Sequence, residues 1–162
     1  MSNPPPTTQS AAARRSAETE LRRLVAKFAS AHGRLVGAIR RSLRKRLPTA
    51  HEIVYEYDGF FVISHSPSRH GYEGVFALRA SADGLRLYFN RGKGLPDPEK
   101  LLQGSGGQTR WIPLAGASTL ARPAVVGLFN EALARNRVPF ARAGRGSMVV
   151  RSTAAKKRRR PA

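Results

Sequence analysis

Residues 52–64 read EIVYEYDGFFVIS, and residues 74–90 read GVFALRASADGLRLYFN. In each, two β-rich runs flank an Asp-Gly pair, Asp58-Gly59 in the first and Asp83-Gly84 in the second. A type I′ turn needs positive φ at both central residues, which Asp and Gly tolerate, so each stretch predicts a tight hairpin. Two hairpins in succession make an antiparallel meander. Leu85, Leu87 and Phe89 alternate with Arg86 and Tyr88, so one face of that sheet is expected to be buried and the other wet.

Working outward, residues 108–114 predict a fifth strand, with Pro113 marking an edge because it donates no ladder hydrogen bond. Upstream, Leu21, Leu24, Val25, Phe28, His32, Leu35, Val36, Ile39 and Leu43 recur at helical spacing, with Arg22, Arg23, Lys27, Arg34, Arg40 and Arg41 mostly opposite them. This predicts one long amphipathic helix from Ala17, bent near Gly33 or Gly37 and stopped before Pro48. His32 lies on its apolar stripe, where a hydrogen-bonded core histidine is expected. Downstream, Pro123 opens a last helix whose stripe is Val125, Leu128, Phe129, Ala132 and Leu133. An antiparallel sheet with one wet face wants its other face covered, and two amphipathic helices are at hand. The fold class is therefore α+β, a two-layer sandwich of about five antiparallel strands covered by an N-terminal and a C-terminal helix.

The chain has 162 residues, enough for one domain, and no cysteine, which excludes disulfides, thiolate metal sites and cysteine nucleophiles. Residues 1–16 read as a disordered lead-in, 17–140 as the domain and 141–162 as a basic disordered tail. The net charge of +19 divides unevenly along the chain. Residues 1–50 hold 11 basic and 2 acidic residues, 51–140 hold 10 and 8, and 141–162 hold 8 and none. The body is near neutral and the ends carry the charge. No run approaches the ~18 apolar residues of a membrane span, and no basic start leads into an apolar core, so a cytoplasmic protein with no membrane partner is expected.

The loop RGKGLPDPEKLLQGSGGQTR, residues 91–110, has the glycines of a phosphate grip. Locally it reads as a short helix: Asp97 as N-cap, Pro98 at the first position, Lys100 to Gln103 as its body and Gly104 as its stop. What remains is an anion-binding candidate made of Lys93, Ser105, Gly106, Gly107 and Arg110. Metal-ligand candidates are His65, His70 and Glu73, in a spacing that matches no metal template. Lys156, Lys157, Arg158, Arg159 and Arg160 form a tail able to bind nucleic acid or another polyanion by counterion release. Tyr55, Tyr57, Tyr88 and Trp111 are rings suited either to stacking bases or to packing the sheet. The wet sheet face with Arg86 and Tyr88, rimmed by the glycine loop, is the best small-ligand surface. Ser64 and His65 are strand neighbours pointing to opposite faces, so they make no catalytic pair. With no other catalytic motif, the expectation is a non-enzymatic binding module without a cofactor, one alternative being a small-anion binder or enzyme acting at the loop-rimmed sheet face.

The span of about residues 52–110, and above all LPDPEKLLQGSGGQTR, resembles the YdhG-like family, domain of unknown function 1801. The resemblance implies a frataxin-like two-layer arrangement and, for one branch, handling of intracellular iron, which makes a metal chaperone the other alternative. Two departures stand against its chemistry. Members often carry a lysine after the Gly-x-Gly, where this chain has Gly107, and frataxin-type iron binding uses an acidic first helix, which here is covered in arginine.

Overall fold

The computed structural model describes residues 9–152. The elements are α1 (Ala11–Phe28), α2 (Gly33–Arg46), β1 (His51–Glu56), β2 (Phe60–Ser66), β3 (Phe76–Ser81), β4 (Gly84–Phe89), β5 (Arg110–Leu114), α3 (Pro123–Ala134) and β6 (Met148–Ser152). Single 3-10 turns occupy Ser30–His32, Gly71–Glu73 and Ala117–Ala121. The fold is α+β, with three helices and one six-stranded mixed sheet in the order β5-β4-β3-β2-β1-β6. Neighbours are antiparallel except β1 and β6, which run parallel.

Both hairpins form, the first in the register its Asp-Gly pair sets, Tyr55 opposite Val62, and the second two residues away from it: Ser81 pairs with Gly84 and Leu78 with Leu87, so that turn closes on Ala82 and Asp83. The turns differ from expectation. Only the glycine of each Asp-Gly pair has positive φ, 86° at Gly59 and 126° at Gly84, so neither is type I′. At the second turn, Ser81 Oγ accepts from the Asp83 amide and holds a local turn ahead of Gly84.

The sheet is five strands plus one. β6 lies in the segment read as tail, where Met148, Val149 and Val150 are the only large apolar residues, too short a run to stand out among Gly, Ala and Arg. What makes it a strand is the open edge of β1, which pairs all five of its residues. Its own outer edge is partly closed by Gln9, whose side-chain amide donates to the Met148 carbonyl and accepts from the Met148 amide. At the opposite end, α1 begins at Ala11 rather than Ala17, because Ser10 Oγ accepts from the Ala13 amide as an N-cap.

The long first helix is two helices. A straight helix over residues 17–46 would run about 45 Å at 1.5 Å per residue, more than twice the ~20 Å of a six-residue strand. Its apolar stripe would overhang the sheet. Instead the chain leaves helical geometry at Ala29 (φ −144°, ψ 39°) and folds back, so that Arg40 of α2 bonds Glu18 of α1. His32 sits at that fold, half-exposed and 3.1 Å from the Ala82 carbonyl, rather than in the core.

The register sorts side chains into two faces. Val54, Ile63, Leu78, Leu87 and Ile112 form one row, and Glu52, His65, Phe76 and Phe89 the next, all turned toward the helices. There Phe76 stacks on Phe129 of α3 with ring centroids 4.0 Å apart. Leu21, Leu24, Ile39 and Leu43 of the first two helices join the same core.

The short helix expected after Pro98 is replaced by a turn. Asp97 does cap, its Oδ1 and Oδ2 accepting from the amides of Leu101 and Leu102 at 2.9 and 2.8 Å. Lys100, however, takes φ of 54°, and Gln103 pairs with Trp111 as an isolated antiparallel bridge on the sheet edge. The edge strand's hydrogen-bonding groups take the place of a second helical turn.

Candidate nucleic-acid interface

The sheet face turned away from the helices is built from the alternate residues of the same strands. One of its rows is Ile53, Ser64, Ala77, Tyr88 and Trp111, and the next is Tyr55, Val62, Arg79, Arg86 and Pro113. The loop after β2 covers one end. Gly71 lies so close to Tyr55 that a Cβ there would stand 1.8 Å from the ring hydroxyl, and a Cβ on Gly74 would stand 2.2 Å from Ser64 Oγ. Ile53 and Ser64 are therefore buried although no helix reaches them.

The remainder is open. Tyr57, Phe60, Val62, Ala77, Arg79, Arg86, Tyr88 and Asn90 line a shallow depression of about 550 Å³, with Trp111 at its end. Tyr57 and Phe60 stack at 4.9 Å, and Tyr88 and Trp111 lie 6.3 Å apart. Burial, and then the neighbouring Tyr55, push the Tyr57 hydroxyl above its ordinary pKa, so it stays a neutral donor.

Two cations face each other across this surface. Arg79 of β3 is directly opposite Arg86 of β4, a like-charge pairing that ordinarily destabilises a sheet. Neither has a carboxylate within salt-bridge distance among the described residues, and none of the residues lining the depression is acidic. Each guanidinium instead lies over a ring, Arg79 over Phe60 at 4.2 Å and Arg86 over Trp111 at 4.0 Å. The surface thus offers flat aromatic faces together with uncompensated positive charge, which is what bases and phosphates require of a single-strand binder.

The helix-side face has the opposite character. Buried Arg40 bonds both oxygens of Glu52 at 2.9 Å and both oxygens of Glu18 at 2.9 and 3.0 Å, and Arg44 reaches Glu52 at 3.2 Å. Burial by itself would depress the Arg40 guanidinium, but the bonds to Glu52 and Glu18 outweigh it and leave it above its usual value. Burial would likewise raise the Glu52 carboxyl, yet His65 and Arg40 hold it well below the carboxylate range. The Arg40 bond lowers Glu18 as well. These charges tie α1, α2 and β1 together.

Of the anion candidates, Lys93 and Gly107 meet, in an exposed hollow shared with Arg91, Gln108 and Arg137. Ser105 and Gly106 are exposed outside that lining. Arg110 does not join it either: its guanidinium donates to the carbonyls of Gly106 and Thr109 at 2.6 and 2.8 Å and closes its own loop. The metal candidates are separated. His65 is buried beside Glu52 on the helix side, His70 is exposed and stacks on Tyr72 at 5.2 Å, and Glu73 lies in the 3-10 turn Gly71–Glu73. Among the described residues no group of three His, Cys, Asp or Glu is placed to hold a metal ion. Ser64 and His65 do face opposite sides, as the strand period requires. The tail Lys156 to Arg160 lies outside the described residues, and no described helix is long and apolar enough to cross a membrane.

Sequence reasoning named Tyr57, Arg86, Tyr88 and Trp111 but passed over Phe60 and Arg79. Counting back from Asp83-Gly84 as the central pair places Arg79 opposite Tyr88; it meets Arg86 because the hairpin turns on Ala82 and Asp83 instead. The chain matches no protein-family model, no curated protein and no solved structure.

Proposed function

We propose that the protein is a non-enzymatic nucleic-acid-binding module that lays a single strand across the open sheet face, assisted by its basic tail. The observation that carries this reading is the opposed pair Arg79 and Arg86, two cations without counter-charge, each stacked on a ring. A fold that needed only a solvated sheet face would gain from a carboxylate at one of these positions. Tyr57, Tyr88 and Trp111 supply faces for bases, Arg79 and Arg86 meet phosphates, and Lys156 to Arg160 add contacts without sequence preference. A two-layer, frataxin-like arrangement of YdhG-like type accords with this use, since helices on one face leave the other free. A cytoplasmic site of action belongs to the same reading.

The test is fluorescence anisotropy of the full chain with a labelled single-stranded oligonucleotide at two salt concentrations. Replacing Tyr88 and Trp111 together by Ala removes two stacking faces, each worth ~1–3 kcal/mol. Binding is expected to weaken by at least ~30-fold, the product of two losses of about 5-fold at the low end. Arg79→Ala with Arg86→Ala is expected to flatten the salt dependence by ~1.4 in log-log slope, for two phosphates released. Wild-type affinity in both double variants would refute the interface.

A further inference from the structure

We propose a second, separate site on the helix side of the sheet: the cleft between the first turns of α1 and the segment entering β6, which takes the phosphoryl or pyrophosphoryl group of a small molecule. The cleft is open, about 630 Å³, and its charged lining is Arg14, Arg15, Arg22, Arg145 and Glu18. Behind it lies a small recess walled by Arg14, Arg44, Arg145, Glu52 and His65. Arg14 and Arg145 belong to both walls.

The charge balance here is one-sided. Arg14, Arg15, Arg22, Arg40, Arg44 and Arg145 surround two carboxylates, Glu18 and Glu52, and Arg40 already occupies all four carboxylate oxygens. Arg14, Arg15, Arg22 and Arg145 have no carboxylate within salt-bridge distance among the described residues. Arg14 is half-buried and donates to the Gly146 carbonyl, which fixes it at the cleft wall. Burial lowers its pKa, and repulsion from Arg145 and Arg44 ranks ahead of attraction from Glu52 and Glu18. A guanidinium held in a net positive field is stabilised by an added anion.

The second observation is His65. It is 2% exposed, it lines the recess, and neither ring nitrogen has a hydrogen-bond partner. Its Nε2 stands 3.7 Å from Glu52 Oε2, beyond hydrogen-bond range but close enough for an ion pair, which leaves Nδ1 as the atom with no partner among the described residues. The recess, about 10 Å³, admits no more than a water, since ~10–15 Å³ is the room one water needs. The ligand therefore sits in the outer cleft, against Arg14 and Arg145, with His65 as the buried polar group behind them. No aromatic ring lines either space, so nothing there stacks a base. That favours a small phosphate compound over a nucleic-acid strand.

The probe is pyrophosphate, titrated calorimetrically into the full chain near physiological salt. Arg145 is exposed and its side chain makes no hydrogen bond or ion pair among the described residues, so Arg145→Glu reverses charge in the cleft without removing such a contact. Arg122→Glu makes the same change in net charge at an exposed position at the start of α3, away from every hollow described. Saturable one-to-one binding, at least tenfold weaker in Arg145→Glu and unchanged in Arg122→Glu, is the expected result. No saturable binding, or an equal loss in both variants, overturns the proposal, the latter showing only attraction to a chain of net charge +19. A single-stranded oligonucleotide without terminal phosphate is the second arm. If Arg145→Glu weakens it as much as pyrophosphate, the cleft serves a nucleic-acid backbone and the small-molecule assignment fails. The Tyr88 and Trp111 variants leave pyrophosphate binding intact, so the two sites fail independently.

Discussion

Removing Arg40 tests whether the buried ion cluster holds the helices on the sheet. Arg40→Met keeps the aliphatic bulk and deletes four charge-assisted bonds, two to Glu52 and two to Glu18. The two carboxylates fare differently. Glu18 is 27% exposed on its side chain and can be rehydrated, whereas Glu52 is 8% exposed and keeps only Arg44 at 3.2 Å and His65 at 3.7 Å. Breaking a buried pair by removing one partner costs ~3–5 kcal/mol, and the retained Arg44 contact favours the lower end. At ~2–4 °C per kcal/mol for a domain of this size, the midpoint should fall by about 6–20 °C in a thermal melt. Adding Glu52→Gln to Arg40→Met should recover most of that loss, because the orphaned charge is gone. The pH dependence has a definite sign. Glu52 and Glu18 are depressed in the folded state, so their stabilisation is present above the unfolded carboxyl value of ~4.3 and disappears as pH falls through the folded values. The gap between wild type and Arg40→Met should therefore narrow below about pH 4.3. An Arg40→Met variant within ~1 kcal/mol of wild type at neutral pH, the value of an exposed ion pair, would refute the reasoning.

Two further substitutions test the packing that frames both sites. A Cβ on Gly146 would stand 1.7 Å from the Ala50 carbonyl oxygen and 2.3 Å from its carbon, and backbone cannot swing aside as a side chain can. Gly146→Ala should cost more than ~2 kcal/mol in urea unfolding and loosen β6, seen as faster amide exchange at Glu52 and Val54, whose strand pairs with it. Phe129→Ala opens a cavity beside Phe76 at the 4.0 Å stacking contact, for ~3–5 kcal/mol in the same assay, while leaving oligonucleotide binding by the folded fraction unchanged.

The parts of this fold that the sequence made legible are those decided by local chemistry. The Asp-Gly pairs placed both hairpins, and alternation from Leu85 to Phe89 separated the face of Leu87 from that of Arg86. The rest depended on what each segment meets at long range. Residues 17–46 carry one continuous apolar stripe, and only the short sheet beneath requires it to fold at Ala29. Met148 to Val150 become a strand because β1 has an edge to offer. The Arg40 cluster joins residues 12 and 22 positions apart on three elements, so no local spacing announces it.

That division has a consequence for how charge is used. On the helix side, Glu18 and Glu52 are both committed to Arg40, which sits where the helices need it and leaves Arg14 and Arg145 without a carboxylate partner among the described residues. On the open side, Asp58 and Asp83 are confined to turns, Glu73 lies in the 3-10 turn beside the covered end, and the depression around Arg79 and Arg86 has no carboxylate. A chain with 10 acidic residues against 29 basic ones has few counter-charges to place, and placement decides which arginines stay available. Two of the places where those left over gather differ in kind, one with aromatic rings and one without. If both were merely solvated surface, reversing Arg79 or Arg145 would affect binding no more than reversing any other exposed cation, such as Arg122. A larger, site-specific effect at each, on different ligands, is what the two arrangements require.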